Sequence, residues 1–89
     1  MHTKQLQRIF KTLGNARRLA MVQLLLKRKE LSVGAIASTM KLSITATSRH
    51  LTALANIDML EKRQESLTVY YRIAQHAEPE IRTMLRLLL

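Results

Sequence analysis

Within Leu42-Ser-Ile-Thr-Ala-Thr-Ser-Arg-His-Leu51, one side of the chain collects Thr45, Ala46, Ser48, Arg49 and Thr52, small or hydroxyl-bearing side chains around a single arginine. The chemistry open to such a set is recognition. Short residues let a backbone come close to a polar surface, hydroxyls donate and accept, and an arginine makes a bidentate contact to guanine or grips a phosphate. At about 100° per residue, Thr47, Leu51 and Leu54 fall on the opposite side and predict an inward stripe. Ser43 is placed to cap the helix by accepting from backbone N–H groups of its first turn. An amphipathic helix with these features suits entry into a DNA major groove. Ser43, Thr45, Ala46, Ser48, Arg49, His50 and Thr52 are therefore candidate contacts.

Such a helix needs others to hold it. Ser32 to Met40 predicts a short preceding helix, with Val33, Ile36, Ala37 and Met40 at helical spacing. The brief turn Lys41-Leu42-Ser43 then completes a helix-turn-helix pattern. Leu60 to Gln64 and Leu67 to Ile73 predict a hairpin around a polar tip at Glu65-Ser66, with Leu67, Val69, Tyr71 and Ile73 on one face. Such a hairpin forms a wing, and Arg63, Gln64 and Ser66 are its candidate DNA contacts. Charges at these positions also protect a strand edge from unwanted pairing.

Upstream, Thr3 to Leu13 predicts a helix with Leu6, Ile9, Phe10 and Leu13 on one side. Asn15 predicts the cap of a second helix reaching about Arg28, with Leu19, Val22, Leu25 and Leu26 inward. Pro79 suits the first turn of a last helix, whose apolar side is Ile81, Met84, Leu85 and Leu88, widened by Leu87 and Leu89. A stripe this broad needs a partner surface. The expected fold class is α+β, mainly α: a winged helix-turn-helix of about five helices and a two-stranded wing, forming one domain over residues 1–89.

From Phe10 to Ile73 the chain resembles the ArsR family of winged-helix repressors. The resemblance rests on Phe10-Lys-Thr-Leu-Gly-Asn15 leading to Arg18-Leu19, Glu30-Leu-Ser-Val33 leading to Ile36-Ala37, Ser48-Arg-His-Leu51 with Leu54, and Val69-Tyr-Tyr-Arg-Ile73. It implies a homodimer that represses transcription from double-stranded DNA. It also implies a dimer interface made by the first and last helices, here Leu6, Phe10, Leu13, Ile81, Leu85 and Leu88, and an inverted-repeat operator. Arg18 matches the family arginine and is expected to act within the chain, leaving Arg17 as a possible phosphate contact. Glycine is usual in the family where Asp58 and Ser66 stand, but a left-handed turn remains feasible at Asp58. Ile44 replaces what is often a polar residue, and either meets a thymine methyl or packs downward.

Composition narrows the partners. Of a net charge of +9, the first 29 residues carry eight Lys or Arg and no acid, which draws the chain to polyanions. Three aromatic residues, Phe10, Tyr70 and Tyr71, are few for a binder that stacks single-stranded bases. Metal-sensing members of the family carry a cysteine pair where Ser32 and Gly34 stand. With no Cys in the chain, thiolate metal sites and disulfide or sulfenic switching are excluded. His76, Glu78 and Glu80 near the last helix supply too few imidazoles for a zinc-type site. No metal, cofactor or membrane partner is expected, and the effector is unassigned. No nucleophile stands beside a base, and no phosphate-cradling loop is present, so catalysis is not expected. The expected location is the cytoplasm. Two other readings stay open: a winged-helix adaptor for protein partners, and a nonspecific architectural DNA binder.

Overall fold

Local hydrogen bonds set the ends of most helices in the computed structural model, which describes all 89 residues. The first helix, α1 (Thr3–Leu13), starts at His2, whose Nδ1 accepts from the Lys4 N–H while Gln5 bonds back to the His2 N–H. Helix α2 (Ala16–Lys27) is capped by Asn15, whose side-chain oxygen accepts from the Arg18 N–H at 3.1 Å. Helix α3 (Val33–Met40) is capped by Ser32 and ends at Lys41, which takes a left-handed conformation with φ 57°. The Leu42 N–H then bonds the Ala37 carbonyl, closing the helix end in the Schellman manner.

Helix α4 (Ile44–Asn56) is the expected recognition helix. Ser43 Oγ accepts from the Ala46 N–H at 3.0 Å, and Thr47, Leu51 and Leu54 are fully buried, as their spacing predicts. Asp58 follows with φ 60°, and the Met59 N–H reaches back to the Leu54 carbonyl. An aspartate thus fills a left-handed position. Arg8 on α1 donates to the Asn56 carbonyl at 3.1 Å, placing a cation at the negative end of α4.

Strands β2 (Leu60–Glu65) and β3 (Thr68–Ile73) pair antiparallel from Leu60↔Ile73 to Glu65↔Thr68. The tip lies one residue later than predicted. Glu65 belongs to β2, Ser66 turns the chain with φ 56°, and Leu67 leaves the expected apolar face to stand 96% exposed. A further strand is present, β1 (Leu31–Ser32), which pairs with β3 opposite Tyr70 and Tyr71 to give the order β1-β3-β2. The wing is therefore rooted in a three-stranded sheet. Pro79 opens the last helix, α5 (Pro79–Leu87), and Arg82 donates to the Ala77 carbonyl just before it.

One core joins these elements. Met21, Val22 and Leu25 of α2 meet Ile36, Leu51, Leu54, Met59, Leu60, Tyr71 and Ile81. Met21 is fully buried while Leu19 and Leu26 stay partly exposed, so the buried stripe of α2 is rotated from the predicted one. Ile81 and Leu85, expected at a dimer interface, are largely covered within the protomer. At 1% and 7% exposure they pack in the protomer's own core. Phe10, by contrast, is 61% exposed, and Leu87 and Leu89 are exposed too, while Leu6, Leu13 and Leu88 are half-buried. No helix is long and apolar enough to cross a membrane.

Candidate nucleic-acid interface

Helix α4 holds its polar face out because its inner face is fixed by Thr47, Leu51 and Leu54. Thr45, Arg49, Thr52 and Asn56 are exposed, and Ser48, Ala46 and Ala53 are half-buried beside them. Arg49 makes no hydrogen bond or ion pair within the chain. Its guanidinium is free to meet a guanine edge or a phosphate. Ser43, exposed at the helix start, spends one acceptor site of its hydroxyl on the cap. Ile44 does not pack downward; it is 56% exposed and borders the same shallow hollow as Thr45, Ser48 and Arg49.

His50 lies on the flank facing α2 rather than on the outer face. Its Nδ1 accepts from Arg18 Nε–H at 3.2 Å, and Arg18 also donates to the Thr12 carbonyl. Burial, and then the charges of Arg18 and Arg17, hold the imidazole below its ordinary pKa and keep it neutral. The Arg18–His50 bond sets α4 against α2, which is the intramolecular role expected for Arg18. His50 thus positions the recognition helix.

The wing is arranged differently. Arg63 Nη2 and Nε donate to the two carboxylate oxygens of Glu30 at 2.6 and 3.3 Å, while Nη1 donates to Glu65 at 2.7 Å. Its guanidinium carbon also stands 4.6 Å from the centroid of Tyr70, its cross-strand partner. Hydrogen bonding to Arg63 holds the Glu30 carboxyl below the usual range, and the same bonds raise the Arg63 pKa further. Gln64 donates to the Ser66 carbonyl at 3.3 Å, and Arg72 pairs with Glu61 at 2.7 Å. Of the three wing residues predicted to touch DNA, Arg63 and Gln64 have donors engaged within the chain, and Ser66 keeps an exposed side chain. Sequence reading missed Glu30 as the partner of Arg63. The two are 33 residues apart, and no local pattern joins them. No three His, Cys, Asp or Glu side chains converge as a metal site would require.

Residues 15–62, which run from the cap of α2 into β2, match the model of the bacterial regulatory protein arsR family. The chain belongs to that family. It is similar to the transcriptional activator HlyU of Vibrio cholerae serotype O1, 36% identical over 80 residues, which are 90% of this chain and 70% of that protein. Another similar protein is the HTH-type transcriptional regulator Rv0324 of Mycobacterium tuberculosis, 40% identical over 70 residues; the match takes in 79% of this chain but 30% of that longer protein. The fold agrees as well. The homodimeric winged helix-turn-helix DNA-binding domain of Mb0332 from Mycobacterium bovis superposes with a TM-score of 0.81 at 34% identity, covering 96% of this chain and 75% of that one. In the arsR-family frame, α3 and α4 are the helix-turn-helix and β2–β3 is the wing.

Proposed function

We propose that this arsR-family chain is a homodimeric transcriptional regulator that binds an inverted-repeat operator in double-stranded DNA and represses from it. The unpaired Arg49, at the centre of an exposed face of threonine and serine on α4, carries the reading. Thr45, Ala46, Ser48 and Thr52 contact base edges or backbone around it, Ser43 borders the nearest phosphate, and Ser66 lies at the wing tip beside the adjacent strand. Phe10, Leu6, Leu13 and Leu88, joined by exposed Leu87 and Leu89, form the contact between protomers. Burying these side chains offsets the exposure of so much apolar surface on α1 and α5. A two-fold dimer sets two copies of α4 about 34–36 Å apart, one turn of DNA. The protein acts by binding in the cytoplasm, without catalysis and without a thiol or metal switch. The homodimeric DNA-binding neighbour supports this reading.

Activation is the second reading for the sign of the response, favoured by the relative HlyU. A promoter fusion with the operator in place decides between the two by whether deleting the gene raises or lowers expression. Selection from a random duplex library tests the binding itself. An inverted repeat bound about 10³-fold above scrambled DNA is expected. Equal, salt-sensitive affinity for all duplexes would indicate an architectural binder, and absence of binding at moderate salt would indicate a protein-interaction module.

A further inference from the structure

Ile44 opens α4 and is the one large apolar side chain exposed on it. Its neighbours on the outer face, Thr45, Ser48 and Arg49, all carry hydrogen-bonding groups. On its other side a groove runs between α4 and the wing, bordered by Val33, Ser48, Leu67 and Val69. Resting on the DNA-binding reading, we infer that Ile44 reads the 5-methyl group of one thymine in each half-site. The first turn of a recognition helix reaches base edges, and the thymine methyl is the apolar feature those edges present in the major groove. Against guanine, adenine or cytosine, the isoleucine would cover a polar edge and leave it without a hydrogen-bond partner. The residue therefore favours thymine and penalises the other bases. Its position next to Arg49 ties the contact to the same half-site that the arginine reads.

Uracil, which is thymine without the methyl, supplies the test. The selected operator is resynthesised with uracil replacing thymine at one symmetric pair of positions at a time, and each duplex is titrated against wild-type protein and Ile44→Ala. One pair of positions is expected at which uracil weakens wild-type binding about fourfold per half-site, the equivalent of about 0.8 kcal/mol for one buried methyl group. Ile44→Ala is expected to bind the thymine and uracil duplexes alike, and 5-methylcytosine at that position to recover part of the lost wild-type affinity. Wild-type indifference to uracil at every position, or an undiminished uracil penalty in Ile44→Ala, would overturn the inference. If Arg49→Ala weakens the operator while uracil has no effect, the assignment of Ile44 falls and the DNA-binding reading stands. If selection yields no operator, both fall. The uracil series on wild-type protein needs no variant to fold.

Discussion

Arg49 on the recognition helix and Arg63 on the wing are both exposed arginines, but only one is uncommitted. Arg49 has no partner in the chain, whereas Arg63 is held by Glu30 and Glu65 and stacked near Tyr70. A phosphate competing for Arg63 must displace two carboxylates that are already charge-paired. Exposure alone therefore does not separate the two; the state of the guanidinium in the free protein does. The outer face of the helix leaves its arginine without a partner in the chain, and the wing spends several of its own polar groups on holding its shape. Glu30 precedes β1, so the Arg63 clasp ties the hairpin to the segment entering α3.

The sharpest way to break this comparison is to remove Arg49. Arg49→Ala is expected to lose about 1–3 kcal/mol of discrimination per half-site, roughly five- to a hundred-and-sixtyfold in affinity, and to relax sequence preference at one position. Anisotropy titrations against operator and scrambled duplex read both effects, with sedimentation showing an unchanged oligomer. Undiminished specificity would remove Arg49 from the site.

Next in size is an effect on the inner face of α4. Thr47 is fully buried and its hydroxyl has no hydrogen-bond partner. Thr47→Val keeps the shape and removes the unsatisfied group, so stability should rise by about 1 kcal/mol, or roughly 4–8 °C in Tm for a domain of this size. Operator affinity should hold, because the change lies behind the recognition face. A lower Tm would mean that the hydroxyl is satisfied in solution.

Arg63→Ala should change binding far less than Arg49→Ala and leave the slope of log affinity against log salt as it was. A free phosphate contact would lower that slope by about one when lost. The converse variant sharpens the comparison. Replacing Glu30 and Glu65 together with Gln releases Arg63, and the slope should then steepen. A reduced slope in Arg63→Ala alone would place the wing arginine on DNA despite its carboxylates.

The parts of this arrangement that were legible in sequence are those settled within a few residues. Ser43 and Asn15 cap the helices they precede, and the 47, 51, 54 spacing names the buried side of α4, because helical geometry fixes both locally. Strand β1 was not legible. Two residues carry no periodicity, and Leu31-Ser32 become a strand by pairing with Tyr70 and Tyr71 across the fold. Ile81 and Leu85 show the same limit from the other side. An apolar stripe announces that it will be covered, but whether the cover is its own core or a second copy depends on how α5 returns to the domain. Candidate contacts on α4 were found from side-chain type and face. Which arginine is free depends on a partner 33 residues away.

The smallest expected effect concerns the join between α4 and the body of the domain. His50 accepts from Arg18, and burial followed by the charges of Arg18 and Arg17 lowers its pKa from the ordinary 6.5. Above 6.5 the imidazole is neutral in folded and unfolded chains alike and adds no pH dependence. As pH falls below 6.5, the unfolded chain takes up a proton that the folded one resists, so stability declines until pH passes the lowered folded pKa. Glu30 and Glu80, whose pKa values lie below the ordinary 4.5, withdraw their contribution only at still lower pH. A melting series from neutral pH down to about pH 5 therefore isolates the histidine. His50→Gln retains an acceptor for Arg18 but cannot titrate, and its Tm should vary less with pH than that of the wild type. Protonation must take place at Nδ1, the atom that accepts from Arg18, so parallel curves would mean that Arg18 does not hold His50 in solution and that the coupling of α4 to α2 rests on apolar packing.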